Sequence, residues 1–129
     1  MIAHVQTTDG LAVVDLDEEV VIELDPARTI EAVAGPALSL PLVVATAEAG
    51  STIVAVVGTK PPLVVSHDSG RTWRESGRGL PAGSAVAISG DDPDVVLYAA
   101  RNRLYLSRDG GRFWRGLAIE LPEISEVAL

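Results

Sequence analysis

Displaced by 41 residues, the sequence falls back on itself. Residues 53–81 then overlie 94–122, and ten of those 29 positions are identical without a gap. A fixed period near forty residues, with turn residues recurring at one phase, is the mark of stacked repeating units. Each period reads as four short strands. In the last unit these are 85–89, 95–100, 103–107 and 112–117, with GDDPD and Asn102 marking turns. In the preceding unit they fall near 42–47, 52–58, 63–67 and 71–75. Short, evenly spaced, β-rich runs with no helix-period segment between them predict an all-β fold of antiparallel four-stranded sheets.

The ends of the chain complement one another. Segments 2–7, 10–16 and 19–24 supply the second, third and fourth strands of a first unit, while ISEVAL at 124–129 reads as the first strand of a following one. A sheet completed by both ends of one chain, or by the ends of two chains, closes a repeat array without leaving an open sheet edge. The units are therefore drawn at 1–41, 42–82 and 83–123, with 124–129 as a closing strand of the same domain. Residues 25–41, and 29–34 in particular, fit no strand of this scheme.

The most regular part of the repeat is an octapeptide, SHDSGRTW at 66–73 and SRDGGRFW at 107–114. It falls where the third strand turns into the fourth. Ser66 and Asp68 can bond the backbone of their own turn, Gly70 supplies a positive φ, Thr72 adds a hydroxyl, and Trp73 packs over the hairpin. Ser107, Asp109, Gly111, Phe113 and Trp114 repeat the arrangement, with Phe in place of Thr. These roles account for the pattern without a substrate. The stretch resembles the Asp-box, or BNR repeat, of β-propellers such as sialidases, xyloglucan-degrading glucanases, sortilin-type receptors and photosystem II assembly factor-like proteins.

That resemblance covers residues 42–129 and fades before them: at the repeat offset Asp25 replaces the serine and Ala27 the aspartate. It implies a β-propeller of about three blades per chain. Since propellers use four or more blades, it further implies completion by self-association, with a six-bladed ring from two chains as the favoured form. A larger ring, or a piece of a longer propeller, are the alternatives.

Chemistry is sparse by comparison. The absence of cysteine removes disulfides, thiolate nucleophiles and thiolate metal sites. His4 and His67 are the only histidines, and adjacent Ser66, His67 and Asp68 cannot form a relay because neighbours on a strand point to opposite faces. The second copy has Arg108 in place of the histidine. The arginine triad and tyrosine–glutamate pair of sialidases have no evident counterpart, and no carboxylate pair stands out for glycoside hydrolysis. No phosphate-cradling glycine loop or calcium loop appears, so no cofactor and no metal are expected.

Charge is distributed unevenly. Residues 1–59 hold nine of the eighteen acids and one of the ten bases, and residues 60–129 hold nine of each. The net charge of −8 argues against nucleic acid as a partner. The apolar runs between 32 and 59 are broken by Gly35, Pro36, Pro41 and Gly50 and are too short to span a membrane. With no export signal in the first residues, a cytoplasmic location is expected. Lys60, Arg78, Arg101, Asn102 and Arg103 fall in the loops opposite the octapeptides and form a candidate rim for an acidic protein surface or an anionic ligand. The functional expectation is a non-catalytic binding or scaffold module. The alternative is a carbohydrate-active protein, hydrolase or lectin, with its site at the ring centre.

Overall fold

A computed structural model describes residues 1–30 and 35–129. Among the described residues twelve strands form three four-stranded antiparallel sheets. The middle sheet contains the four strands of its own repeat unit in simple up-and-down order: β4 (Val43–Ala49), β5 (Thr52–Val57), β6 (Leu63–Ser66) and β7 (Arg74–Ser76). The C-terminal sheet repeats this with β8 (Ala85–Ile88), β9 (Val96–Ala100), β10 (Arg103–Ser107) and β11 (Arg115–Gly116). The N-terminal sheet is composite. Its order is β12 (Ile124–Ala128), β1 (Ile2–Thr7), β2 (Gly10–Asp15) and β3 (Val20–Asp25).

The last strand therefore completes the first sheet within one chain. Val5 lies opposite Val127 and His4 opposite Ala128, and the backbone N–H of Ile124 donates to the Arg101 carbonyl where β12 leaves the C-terminal sheet. Of the two closures open to the sequence, the structure takes the one that needs no partner strand.

The three sheets are stacked with the C-terminal one in the centre. One of its faces, with Val95, Leu97, Ala99, Leu104 and Leu106, is buried against Ala3, Val5, Ala12 and Val14 of the N-terminal sheet. The other, with Val86, Val96, Tyr98 and Ala100, is buried against Val54, Val56, Leu63 and Val65 of the middle sheet. Strand alternation sends consecutive residues of β9 to opposite cores, which is why VLYAA is apolar throughout and buried at every position. The Tyr98 hydroxyl is the one polar atom this strand sends inward from a side chain, and it donates to the Pro81 carbonyl at 2.7 Å. Burial, and to a smaller degree Tyr105, pushes its pKa up to about 12.

Two expectations need correction. The outer strands β7 and β11 are shorter than 71–75 and 112–117, because Thr72, Arg112 and Phe113 give their N–H groups to the aspartate carboxylates of the preceding turns. The 41-residue offset also fails in the first unit. The turn equivalent to the octapeptide there is 16–19, between β2 and β3, and not the stretch around Asp25 and Ala27. It is a shorter turn, in which the Asp15 carboxylate accepts the N–H groups of Asp17 and Glu18 at 2.9 and 3.1 Å.

Part of the unassigned 25–41 segment now has a place. The N–H of Ile30 donates to the Gln6 side chain on the N-terminal sheet, and the Pro36 carbonyl accepts the Thr46 hydroxyl on the middle sheet. Residues 31–34 of that segment lie outside the described residues. Among the described residues no helix is long and apolar enough to cross a membrane.

Candidate functional site

The two octapeptides form the same turn. Ser66 is buried, its hydroxyl donates to Asp68 at 2.8 Å, and its oxygen accepts the Gly70 N–H at 2.7 Å. Asp68 then accepts the Thr72 N–H at 2.8 Å and the Thr72 hydroxyl at 2.6 Å. Ser107 and Asp109 repeat the first two bonds at 2.8 and 2.9 Å, and Asp109 accepts the N–H groups of Arg112 and Phe113. Gly70 and Gly111 have φ values of 91° and 88°, a region that side-chain-bearing residues avoid.

The Thr-to-Phe difference has an electrostatic effect. The Thr72 hydroxyl, with the Thr72 N–H and the Ser66 hydroxyl, holds the Asp68 carboxyl down at about 2. Asp109 is also lowered, chiefly by the Phe113 N–H, but it has no hydroxyl at the position of Thr72. Both oxygens of Asp68, and Oδ1 of Asp109, are occupied by their own turn. His67 is exposed beside them, with Nδ1 3.3 Å from the Thr52 hydroxyl.

The tryptophans differ, and the difference follows from their neighbours. Trp73 donates its indole N–H to the Gly70 carbonyl of its own turn at 3.1 Å. Trp114 instead reaches the middle sheet. Its ring packs edge-on against Tyr98 at 6.0 Å, and its N–H donates to the Ser76 hydroxyl at 2.9 Å. Ser76 is buried and donates its own hydroxyl hydrogen bond to the Gly111 carbonyl. Ser76 thus joins two sheets, yet at the repeat offset its counterpart is Leu117, so the repeat offered no signal for it.

The residues of the proposed rim separate. Arg101, Asn102 and Arg103 share the β9–β10 turn, where Arg101 takes a φ of 57°. Arg103 is paired with Glu120 at 2.7 Å, and the carbonyls of Arg101 and Asn102 receive the N–H groups of Ile124 and Leu121. Their backbone therefore anchors the closing strand. Lys60 is exposed in the equivalent loop of the middle sheet. Arg78 lies elsewhere, in an outer cleft shared with Arg74 and Arg112.

A larger cleft, about 790 Å³, opens where the inner strands β4, β8 and β12 approach one another. Its walls are mainly Val43, Val44, Val86, Ile88 and Val127, and two exposed carboxylates, Glu48 of β4 and Glu126 of β12, stand on its lining. Sequence reading passed over this pair, although Glu48 is the single charge in residues 32–59. An isolated acid in an apolar inner strand was the available signal. Among the described residues no three His, Asp or Glu side chains gather as a metal site.

No protein-family model and no curated protein matches the chain. A solved structure of a GH74 enzyme from Niastella koreensis is similar to it with a TM-score of 0.48 and 22% identity, covering 92% of this chain. The chain spans 17% of that enzyme's length.

Proposed function

We propose that the chain is a non-catalytic binding module of Asp-box propeller type, in which two copies each contribute three blades to a six-bladed ring. The observation that carries this reading is apolar surface on the flanking sheets. In β3, Val20, Val21, Ile22 and Leu24 are 40–56% exposed, and Leu42, Val43 and Val44 at the start of the middle sheet are 36–64% exposed. Among the described residues the outer strand β3 has one strand neighbour, β2, and no strand pairs with its other hydrogen-bonding edge. Such an edge is a template for association unless it is covered. A second copy offers the middle sheet of one chain to the N-terminal sheet of the other, twice, by a two-fold operation.

Native mass spectrometry tests this. The expected species is a dimer, and Val21→Lys combined with Ile22→Lys shifts it to a folded monomer. A wild-type monomer at tens of micromolar excludes the ring. The completed ring presents the turns bearing Lys60 and Arg101 to a protein or other anionic partner.

A carbohydrate-active centre is the second reading, favoured by Glu48 and Glu126 on one cleft. Two carboxylates across a sugar-sized cleft are what glycoside hydrolysis uses. Turnover of an aryl glycoside that disappears in both Glu48→Gln and Glu126→Gln would establish it in place of the first.

A further inference from the structure

Of the ten cations in the chain, Arg103, Arg108 and Arg115 have carboxylate partners at 2.7–2.9 Å. Three others, Arg74, Arg78 and Arg112, line a single cleft of about 310 Å³ at the outer seam between the middle and C-terminal sheets. Arg74 comes from β7, Arg78 from the residues just after it, and Arg112 from the octapeptide turn of the other sheet. Gathering like charges in one place is unfavourable unless an anion neutralises them. On a chain of net charge −8 it also runs against the average field.

The remaining lining gives the cleft a fixed floor. Ser76 bonds the Gly111 carbonyl and receives the Trp114 indole N–H, so β7 and the turn bearing Arg112 are tied together at Ser76 and Gly111, which line the same cleft as the arginines. Glycines 77 and 111 contribute backbone without side chains to the wall. Glu75 is the one acid on the lining. In β7, Arg74 lies opposite Val65, Glu75 opposite Val64 and Ser76 opposite Leu63, so Arg74 and Ser76 share one face of the sheet and Glu75 belongs to the other.

We propose that this seam binds a tetrahedral dianion, phosphate or sulfate, free or as the head group of a small ester, through Arg74, Arg78 and Arg112. Guanidinium groups suit such an ion because their paired N–H donors match pairs of its oxygens. The volume equals that of about ten waters at about 30 Å³ each, which leaves room for an organic carrier beside the ion. The site is complete within one chain and stands whether or not two copies form a ring.

The test is a titration of the ¹⁵N-labelled chain with inorganic phosphate in a low-salt zwitterionic buffer, read on the Trp114 indole resonance, with sodium acetate at matched ionic strength as control. A saturable shift with phosphate, absent with acetate, is expected. Arg78→Ala combined with Arg112→Ala, both exposed positions, weakens phosphate at least tenfold with an unchanged CD spectrum, while Arg28→Ala and Arg71→Ala stay within twofold. Phenyl phosphate binding tighter than phosphate identifies an ester head group, and equal affinity identifies the free ion. A non-saturating shift that acetate reproduces, or phosphate affinity unchanged in the double variant, overturns the proposal.

Discussion

Ser76→Ala is the most informative single substitution in this molecule. The side chain is buried and serves two groups on another sheet, the Gly111 carbonyl and the Trp114 indole N–H. Alanine removes both bonds without opening a large cavity. Gly111 is buried, so its carbonyl loses its side-chain partner in a place water reaches poorly, at a cost of about 1–2 kcal/mol. Trp114 is half-buried and partly recovers a water, so its share is about 0.5–1 kcal/mol. The sum is a loss of about 2 kcal/mol. With a urea m-value of about 1.5 kcal/mol/M, that moves the unfolding midpoint down by about 1.3 M at constant m. Ser125→Ala, at an exposed position, is the control and moves it little. A double-mutant cycle with Trp114→Phe should give a coupling of about 0.5–1 kcal/mol between the two positions. A Ser76→Ala midpoint within about 0.3 M of wild type, or no coupling, would refute the claim that this hydroxyl fastens the sheets.

Other outcomes follow from the turns and the chain ends. The Asp68 carboxyl is held at about 2, below the ordinary 3.8 of a free aspartate, so its stabilising effect is complete above pH 4 and disappears as pH falls through 2; the urea midpoints of wild type and Asp68→Asn should differ at pH 7 and converge near pH 2, and a constant gap would contradict this. Gly10 has a φ of 129°, and an added Cβ would lie 2.4 Å from the Asp25 carbonyl oxygen; Gly10→Ala should lower thermal stability by about 2 kcal/mol or more, since neither backbone segment can yield cheaply. Leu104 is fully buried between the N-terminal and C-terminal sheets, and Leu104→Ala should cost about 2–5 kcal/mol in chemical denaturation. Deleting residues 124–129 removes Ile124 and Val127 from the core and leaves β1 as an open edge, so light scattering should report aggregation in place of a stable fold.

The strands and turns were legible because their causes are local. A run such as VVLYAA states by its composition that both faces are covered, and Ser-x-Asp-x-Gly states where hydrogen bonds and a positive φ will form a turn. The outer strands were read too long because turn and strand compete for the same residues. Thr72 and Phe113 have strand-forming side chains, but the aspartate four residues earlier captures their N–H groups. In the first unit the strands were read where they lie, and only the 41-residue offset failed. A fixed offset assumes equal links between units, and the 17 residues from 26 to 42 that join β3 to β4 are nine more than the 8 residues from 77 to 84 that join β7 to β8.

The acids of that same turn show what spacing could not reveal. Glu19 accepts Arg115 at 2.9 Å and the Ala118 N–H at 3.0 Å, and Arg115 leads the causes that lower its pKa. Asp17 receives Arg108 at 2.8 Å. In sequence these acids are nearly a hundred residues from their partners. Exposed pairs of this kind contribute little to stability, but they record which sheet follows which.

By itself, the sequence determined that this protein is built of four-stranded antiparallel units, where their turns lie and which side chains fasten them, because period-two burial and turn hydrogen bonds act over a few residues. Tertiary structure decided the long-range matters: that the last strand returns to the first sheet of its own chain, that the C-terminal sheet lies between the other two, that Ser76 bridges a seam, and that Arg74, Arg78 and Arg112 meet there. Those depend on which surfaces come together once the strands exist, and no local pattern encodes that choice.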